Sequence, residues 1–315
     1  LGDVYKRQTV WRVQAIDRWD WMPSMNTGID FRFADLRRRL VTDDIGLLFP
    51  GWQAEDERLL VLCPHDDDGV LGAGYAILAA QERGAETHLA VFCDGWAGYS
   101  RPEEAGTIVA RRRQETVAAY ALMGIPAERI HRLDYPDFAV WPWLGWRLPT
   151  GQEGISARLV PLMRRLRVTR LLLPNGYREH QDHEATFRAG AYDGPQVGDA
   201  VLGEVGLAPP IRSYLQYAVW ADFNPEDALV AREPSCLRAN RAIVAPAAIE
   251  ERIEEAVAAF ASQRQVIAGV MEARRRHRVC SGRALELFLA FDPRPLLDYR
   301  PYHALLAEID QGPRQ

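Results

Sequence analysis

The 315-residue sequence holds a single lysine, Lys6, although Lys and Arg together number 38. Basic charge is carried by arginine everywhere else, so the opening "LGDVYKRQ" reads as foreign to the chain. Residues 1–8 are expected to be an assembly or expression remnant and are set aside from fold reasoning. Cysteine is scarce as well: Cys63, Cys93, Cys236 and Cys280 form no CxxC pair, which argues against a disulfide framework or a cysteine zinc site and for reduced thiols. No run approaches the roughly 18 consecutive apolar residues of a membrane helix. The start also lacks the basic-then-apolar layout of a secretory leader, so a cytoplasmic protein is expected. Excess positive charge is missing too. A net charge of -5 gives no electrostatic footprint for nucleic acid, and points to a small-molecule partner.

What is present is an ordinary packed core, with 48% hydrophobic residues. Residues 9–55, rich in Trp and Arg, read as an N-terminal extension with one short helix around "FADLRRRLV". From there on, 56–315 read as a single α/β domain. "RLLVLC" (58–63), "ETHLAVFC" (86–93), "RIHRLD" (129–134) and "VTRLLLP" (168–174) are predicted strands. Between them lie helical patterns at 69–84, 105–124 and 153–167, with a further one at 183–194, three of them closed by glycine. Strands alternating with helices of this length predict a Rossmann-like, mostly parallel sheet with helices on both faces. After Gly194, "AVLGEVGLAPPIRSYLQYAVW" suggests two more strands, and residues 246–278 one long amphipathic helix.

In an open α/β sheet, ligands collect at the carboxyl ends of the strands. Two polar clusters sit there. "PHDDD" (64–68) follows the first predicted strand, and "YREHQDHEAT" (177–186) follows "VTRLLLP". Crowded aspartates repel, and desolvating them is costly unless a cation or hydrogen bonds compensate. A solvated loop with an Asp helix cap is the simpler alternative for the first cluster, and a capping or network histidine for the second. Two coincident clusters, with His180 and His183 three residues apart, favour a metal: two imidazoles and a carboxylate are a ligand set of catalytic zinc.

These residues resemble the PIG-L/LmbE-like family of zinc-dependent N-acetyl-sugar deacetylases. That family carries a His-Pro-Asp-Asp-Glu run after its first strand and a His-x-Asp-His run after a later one; this chain has "HDDDGVLGAG" and "HQDH". "RRQETVAAYALMG" is similar to the family's Arg-x-x-Glu helix, and "CDG", "AFASQ" and "ELF" match more loosely, so the likeness spans most of 58–290. The resemblance implies that His65, Asp68 and His183 bind Zn2+ or another divalent metal, and that Asp67 is the general base toward the attacking water. It implies further that His180 stabilises the tetrahedral intermediate, that Asp182 orients a histidine, and that Asp94 and Arg112 contact sugar hydroxyls. For Arg112 the alternative is a solvated member of the 111–113 run. Two departures stand out: Asp66 replaces the usual Pro, and Gly69 the usual Glu, with a freer backbone expected at Gly69.

The loop "YPDFAVWPWLGWRLPTG" (135–151) should lie on the same edge, where Trp141 and Trp143 either stack on a sugar ring or apolar aglycone, or form a satellite core. The function implied is removal of an N-acetyl group from an N-acetylglucosamine-type sugar or glycoconjugate. Alternatives are an amidase acting on a larger amide conjugate, a silent metal-containing sugar-binding protein, and a phosphoesterase. A dinucleotide-binding oxidoreductase is disfavoured, because Gly69, Gly72 and Gly74 run GxxGxG rather than GxGxxG.

Overall fold

The structure is a computed structural model describing residues 29–276 and 282–310, so the expected remnant at 1–8 and Cys280 lie outside the described residues. Its centre is β3 (Arg58–Cys63), whose side chains alternate between two cores. Leu59, Val61 and Cys63 face one, Leu60 and Leu62 the other, and all five are fully buried. Burial on both faces is why "RLLVLC" is continuously apolar. β3 pairs in parallel with β4 (Glu86–Cys93) on one side and with β6 (Arg170–Pro174) on the other. β5 (Ile130–Tyr135) lies outside β4, and β7 (Ser213–Tyr217) outside β6.

The chain steps from β3 through α1 (Asp68–Glu82) to β4, and through α2 (Ile108–Leu122) to β5. It then doubles back through α3 (Ser156–Leu166) to β6, on the far side of β3, and α4 (Gln181–Asp193) follows β6. The reversal makes a topological switch point at the carboxyl ends of β3 and β6.

The sheet is nine-stranded, in the order β2-β1-β8-β9-β7-β6-β3-β4-β5. It is not mostly parallel. The four pairings among β3 to β7 are parallel, but the four made by β1 (Arg32–Asp35), β2 (Leu40–Thr42), β8 (Arg241–Ala245) and β9 (Ala284–Phe291) are antiparallel. The strand–helix rhythm ends at β7, and beyond it no crossover rule sets strand direction.

Three local expectations change with this edge. "FADLRRRLV" is not a helix: Phe31 and Phe33 are buried at period two, and Arg37–Arg39 form the exposed turn of the β1–β2 hairpin, with Arg39 at φ 54. The described part of the segment read as an extension, 29–55, thus enters the sheet, and its residues 9–28 lie outside the described residues. Residues 200–220 supply one strand, β7, rather than two, because the Gly- and Pro-containing part before it forms a short 3-10 turn and loop. The long C-terminal helix is broken into α6 (Ala247–Ala258) and α7 (Arg264–Arg275). Buried Phe260 marks the break, where Ser262 donates from N and Oγ to Glu115 at 2.9 and 2.6 Å. α5 (Pro225–Val230) and the exposed α8 (Arg300–Asp310) complete the described helices, none of which is long and apolar enough to cross a membrane.

Gly69 and Gly72 lie inside α1 without positive φ, so freedom of backbone is not their purpose. A Cβ on Gly69 would lie 2.5 Å from Tyr120 Oη and 2.8 Å from Cys63 Sγ; on Gly72, 2.4 Å from Tyr217 Cδ2. Close helix-to-sheet packing accounts for these glycines. At the opposite end of β6, Arg170 and Glu57 form a fully buried bidentate pair, with both bonds at 2.8 Å. Glu57 also takes Thr169 Oγ1 and the Gln53 N–H. Removing one partner strands the other charge in a dry interior, so Glu57→Ala is expected to cost about 3–5 kcal/mol of stability. Urea unfolding at pH 7 checks it, and a loss below about 1 kcal/mol would show that water reaches Arg170.

Candidate metal centre

The switch point gathers side chains from three strand ends. Asp68, the first residue of α1, accepts the His65 N–H at 2.8 Å through Oδ2. The same oxygen lies 3.2 Å from His65 Nδ1 and 3.2 Å from His183 Nε2. His65, Asp68 and His183 each offer a ligand atom within 4.8 Å of the others. Burial alone would raise the Asp68 carboxyl, but His183 and His65 hold it far below the usual carboxylate range. His183 Nε2 is buried and has no aligned hydrogen bond, although Asp68 is near. An orphaned imidazole nitrogen among a carboxylate and a second imidazole fits a divalent cation, and the N/O donor set suits zinc and its neighbours. Two further sets share His65 at the same spacing: His65, Cys93 and Asp137, and His65, His180 and Asp182.

The three aspartates of "PHDDD" are all buried, each in its own way. Asp66, in the proline position, accepts from Arg112 Nε at 3.0 Å, from Thr116 Oγ1 at 2.6 Å and from Arg132 Nη1. Burial opposes its charge, yet the two guanidiniums hold it below the ordinary carboxylate range. Asp67 has only Arg112 Nη2, at 3.6 Å. Burial raises its carboxyl, Arg112 resists, and repulsion from Asp68 adds to the rise. Arg112 is neither solvated nor open to solvent: it is 3% exposed, under a loop whose Gly95 and Gly98 leave it room. Its Nη2, with no hydrogen bond, faces Asp67.

Asp182 accepts the N–H groups of Phe138 at 2.6 Å and Val140 at 3.3 Å, and its Oδ2 lies 3.4 Å from His65 Nε2. His180 caps α4, its Nδ1 accepting the Asp182 N–H at 3.2 Å. Burial and the neighbouring His65 lower its pKa, so it is neutral at pH 7. The rings of His65 and His180 are 5.0 Å apart, and Phe138 lies 5.0 Å from His180. Asp94 accepts the Trp96 N–H at 3.1 Å and is half-buried at the rim. Trp141 is 38% exposed, whereas Trp143 packs on Tyr135 at 5.2 Å, so the aromatic loop divides between surface and core.

Sequence reasoning missed two carboxylates. Asp137 accepts the N–H groups of Gly95 and Ala97 at 3.0 and 2.9 Å and shapes the loop over Arg112. Glu179 lies 2.8 Å from His183 Nδ1. Its signal was the i, i+4 spacing to His183, within a motif where attention went to the histidines.

Residues 60–192 match a family model described as PIG-L, GlcNAc-PI de-N-acetylase. The match spans less than half of the chain. It contains the whole His65–Asp68–His183 set, and with β3 to β6 and α1 to α4 the switch point that holds it. Solved structures similar to the chain include the N,N'-diacetylchitobiose deacetylase of Pyrococcus horikoshii: 17% identity, TM-score 0.57, over 75% of this chain and 84% of that one. The conserved protein TT1542 of Thermus thermophilus matches at 22% identity and TM-score 0.54, over 76% and 96%. GalB, the 4-carboxy-2-hydroxymuconate hydratase of Pseudomonas putida, matches at 16% and 0.56, over 77% and 99%. At these identities the likeness establishes a shared fold. No curated protein matches the chain in sequence.

Without metal, His183 keeps a proton: burial pulls its imidazolium down, but Asp68 pushes it up to about 9. A cation taken up here must displace that proton and the one that Asp182 and Asp68 favour on His65, so affinity is expected to rise with pH by about ten- to a hundredfold per unit up to about pH 9. Calorimetric Zn2+ titration of metal-stripped protein at pH 7.5, in two buffers of different ionisation enthalpy, reads the released protons. Equal heats in both buffers would contradict this.

Proposed function

We propose that this protein is a metal-dependent hydrolase that removes the N-acetyl group from an N-acetylglucosamine-type sugar or glycoconjugate. The observation that carries the reading is the convergence of His65, Asp68 and His183 within 4.8 Å, inside the segment that matches the PIG-L family model. The relative from Pyrococcus horikoshii, a diacetylchitobiose deacetylase, supports the substrate class.

These three residues would hold a divalent metal, which supplies Lewis-acid polarisation of the acetamide carbonyl and acidifies water. Zn2+ is the ion the donor set favours. Asp67 is the base. Its raised pKa suits a carboxylate that takes a proton from the attacking water and returns it to the leaving amine nitrogen. Arg112, buried against Asp66 and directed at Asp67, keeps that base in place and ionised, a role that replaces direct contact with sugar hydroxyls. Neutral His180, partly open to solvent and tilted against Phe138, offers a hydrogen bond to the oxygen that gains charge. Asp182 ties His65 to the backbone of Phe138 and Val140. Acetate and free amine are the products.

The rim supports a glycoconjugate over a bare sugar. Trp96, Phe138 and Trp141 are exposed at 46%, 57% and 38% on loops after β4 and β5, and aromatic faces suit the apolar side of a pyranose or an attached aglycone. Asp94 stands beside Trp96 as a hydroxyl acceptor.

Acetate release from a panel of N-acetylglucosaminides by Zn2+-loaded protein is the first test. Asp67→Asn is expected to lower kcat by at least about 100-fold while metal binding persists, the loss typical of a missing general base. His183→Ala is expected to abolish both. Metal uptake without release from any panel member would favour the larger-amide or silent-binder alternatives. Release unchanged in Asp67→Asn would remove Asp67 from the chemistry.

A further inference from the structure

Glu179 lies in the loop between β6 and α4, and its side chain is fully buried. A buried carboxylate is tolerated only where donors surround it. Oε1 accepts three consecutive backbone N–H groups, from Val219 at 2.7 Å, Trp220 at 2.8 Å and Ala221 at 3.0 Å. Oε2 lies 2.8 Å from His183 Nδ1. An ionised carboxylate can only accept, so Nδ1 carries the hydrogen and donates it. Nε2 is then the nitrogen that gains a free lone pair when the second proton leaves, and it is the buried atom that has no aligned hydrogen bond and faces Asp68.

We propose that Glu179 is a positioning residue that fixes His183 as an Nε2 metal ligand and, through its other oxygen, fastens the loop after β7 to the metal centre. The proposal rests on the His65–Asp68–His183 set being a metal site. The loop it holds carries Trp220, 46% exposed, and lines one side of a cavity of about 510 Å³ with Leu71, Val270 and Leu285. Ligand orientation and the wall of this neighbouring cavity therefore depend on one carboxylate.

Glu179→Gln separates this from general stability, because the amide is nearly isosteric but cannot accept at both ends. With its oxygen toward residues 219–221, its NH2 meets the His183 Nδ1–H donor to donor, and relief requires the tautomer that blocks Nε2. Turned round, the NH2 faces three N–H groups. The measurements are Zn2+ affinity by chelator competition and amide hydrogen exchange at 219–221, with Glu184→Gln, next to His183 on α4, as control.

A folded Glu179→Gln variant is expected to bind Zn2+ about 10–100-fold more weakly, as outer partners of metal-bound histidines usually do when changed. Its 219–221 amides are expected to exchange faster, and Glu184→Gln to match the wild type in both. Wild-type affinity in Glu179→Gln would overturn the proposal. Should that variant not fold, Glu179→Asp keeps the charge with a shorter reach: weakened Zn2+ binding supports the proposal and unchanged binding overturns it. Failure of the wild-type protein itself to take up metal would overturn the metal site and the proposal together.

Discussion

Three carboxylates, Asp66, Asp67 and Asp68, leave water within one turn at the end of β3, and the architecture around them answers that electrostatic problem three times over. Asp66 is neutralised by two guanidiniums and a hydroxyl, which makes it a structural anchor. Asp68 is neutralised by imidazoles that come from its own loop and from α4. Asp67 is left with one guanidinium at 3.6 Å, too far for a strong bond. The result is a gradient of basicity along three adjacent residues of one type: Asp66 and Asp68 are held below the ordinary range, and Asp67 is raised above it. Neighbouring groups whose environments push their pKa values apart mark acid–base assignments.

The gradient needs chain segments that are distant in sequence, and the strand order supplies them. Because the chain reverses at β3, the loops after β3 and β6 meet at one crevice, which brings His65 and Asp68 to His183. The loops after β4 and β5 close over the other side, where Asp137 shapes the turn at Gly95–Ala97 and Asp182 holds Phe138. Even the break between α6 and α7 contributes. Gln263 donates to Gly98 O at 2.6 Å, pressing on the loop that seals Arg112 from solvent. A continuous helix there would carry Gln263 away from that loop.

How much of this the sequence disclosed depends on whether the signal was local. Strands β3, β4 and β6 were legible because they are buried on both faces and read as unbroken apolar runs. The candidate metal ligands drew attention in the sequence because each cluster sits within a few positions of a strand end. Arg112 stayed between two readings for the same reason: nothing local in "RRR" separates a solvated arginine from a site residue, and the Gly95–Gly98 loop, brought over it in three dimensions, buries it. The antiparallel edge was illegible because β1 pairs with β8 across some two hundred residues, and no pattern in "FRFAD" names its partner. Glu179 was hidden similarly, since three of its four partners are amides of a loop beyond the next strand.

The two departures from the family's first motif follow from the same constraint. A proline at position 66 would bring no charge, and Arg112 and Arg132 would then lie at the site without Asp66 to satisfy them. Aspartate there makes the arginines affordable, and Arg112 in turn tempers Asp67. A glutamate at position 69 would need space that Tyr120 Oη and Cys63 Sγ already occupy. Position 69 gives up a carboxylate while position 66 gains one, and the gained one is buried on the side facing α2 and β5, away from the His65–Asp68–His183 cluster. The acidic run thus keeps three charges, but one of them is committed to holding Arg112, which leaves Asp67 and Asp68 for the chemistry proposed above.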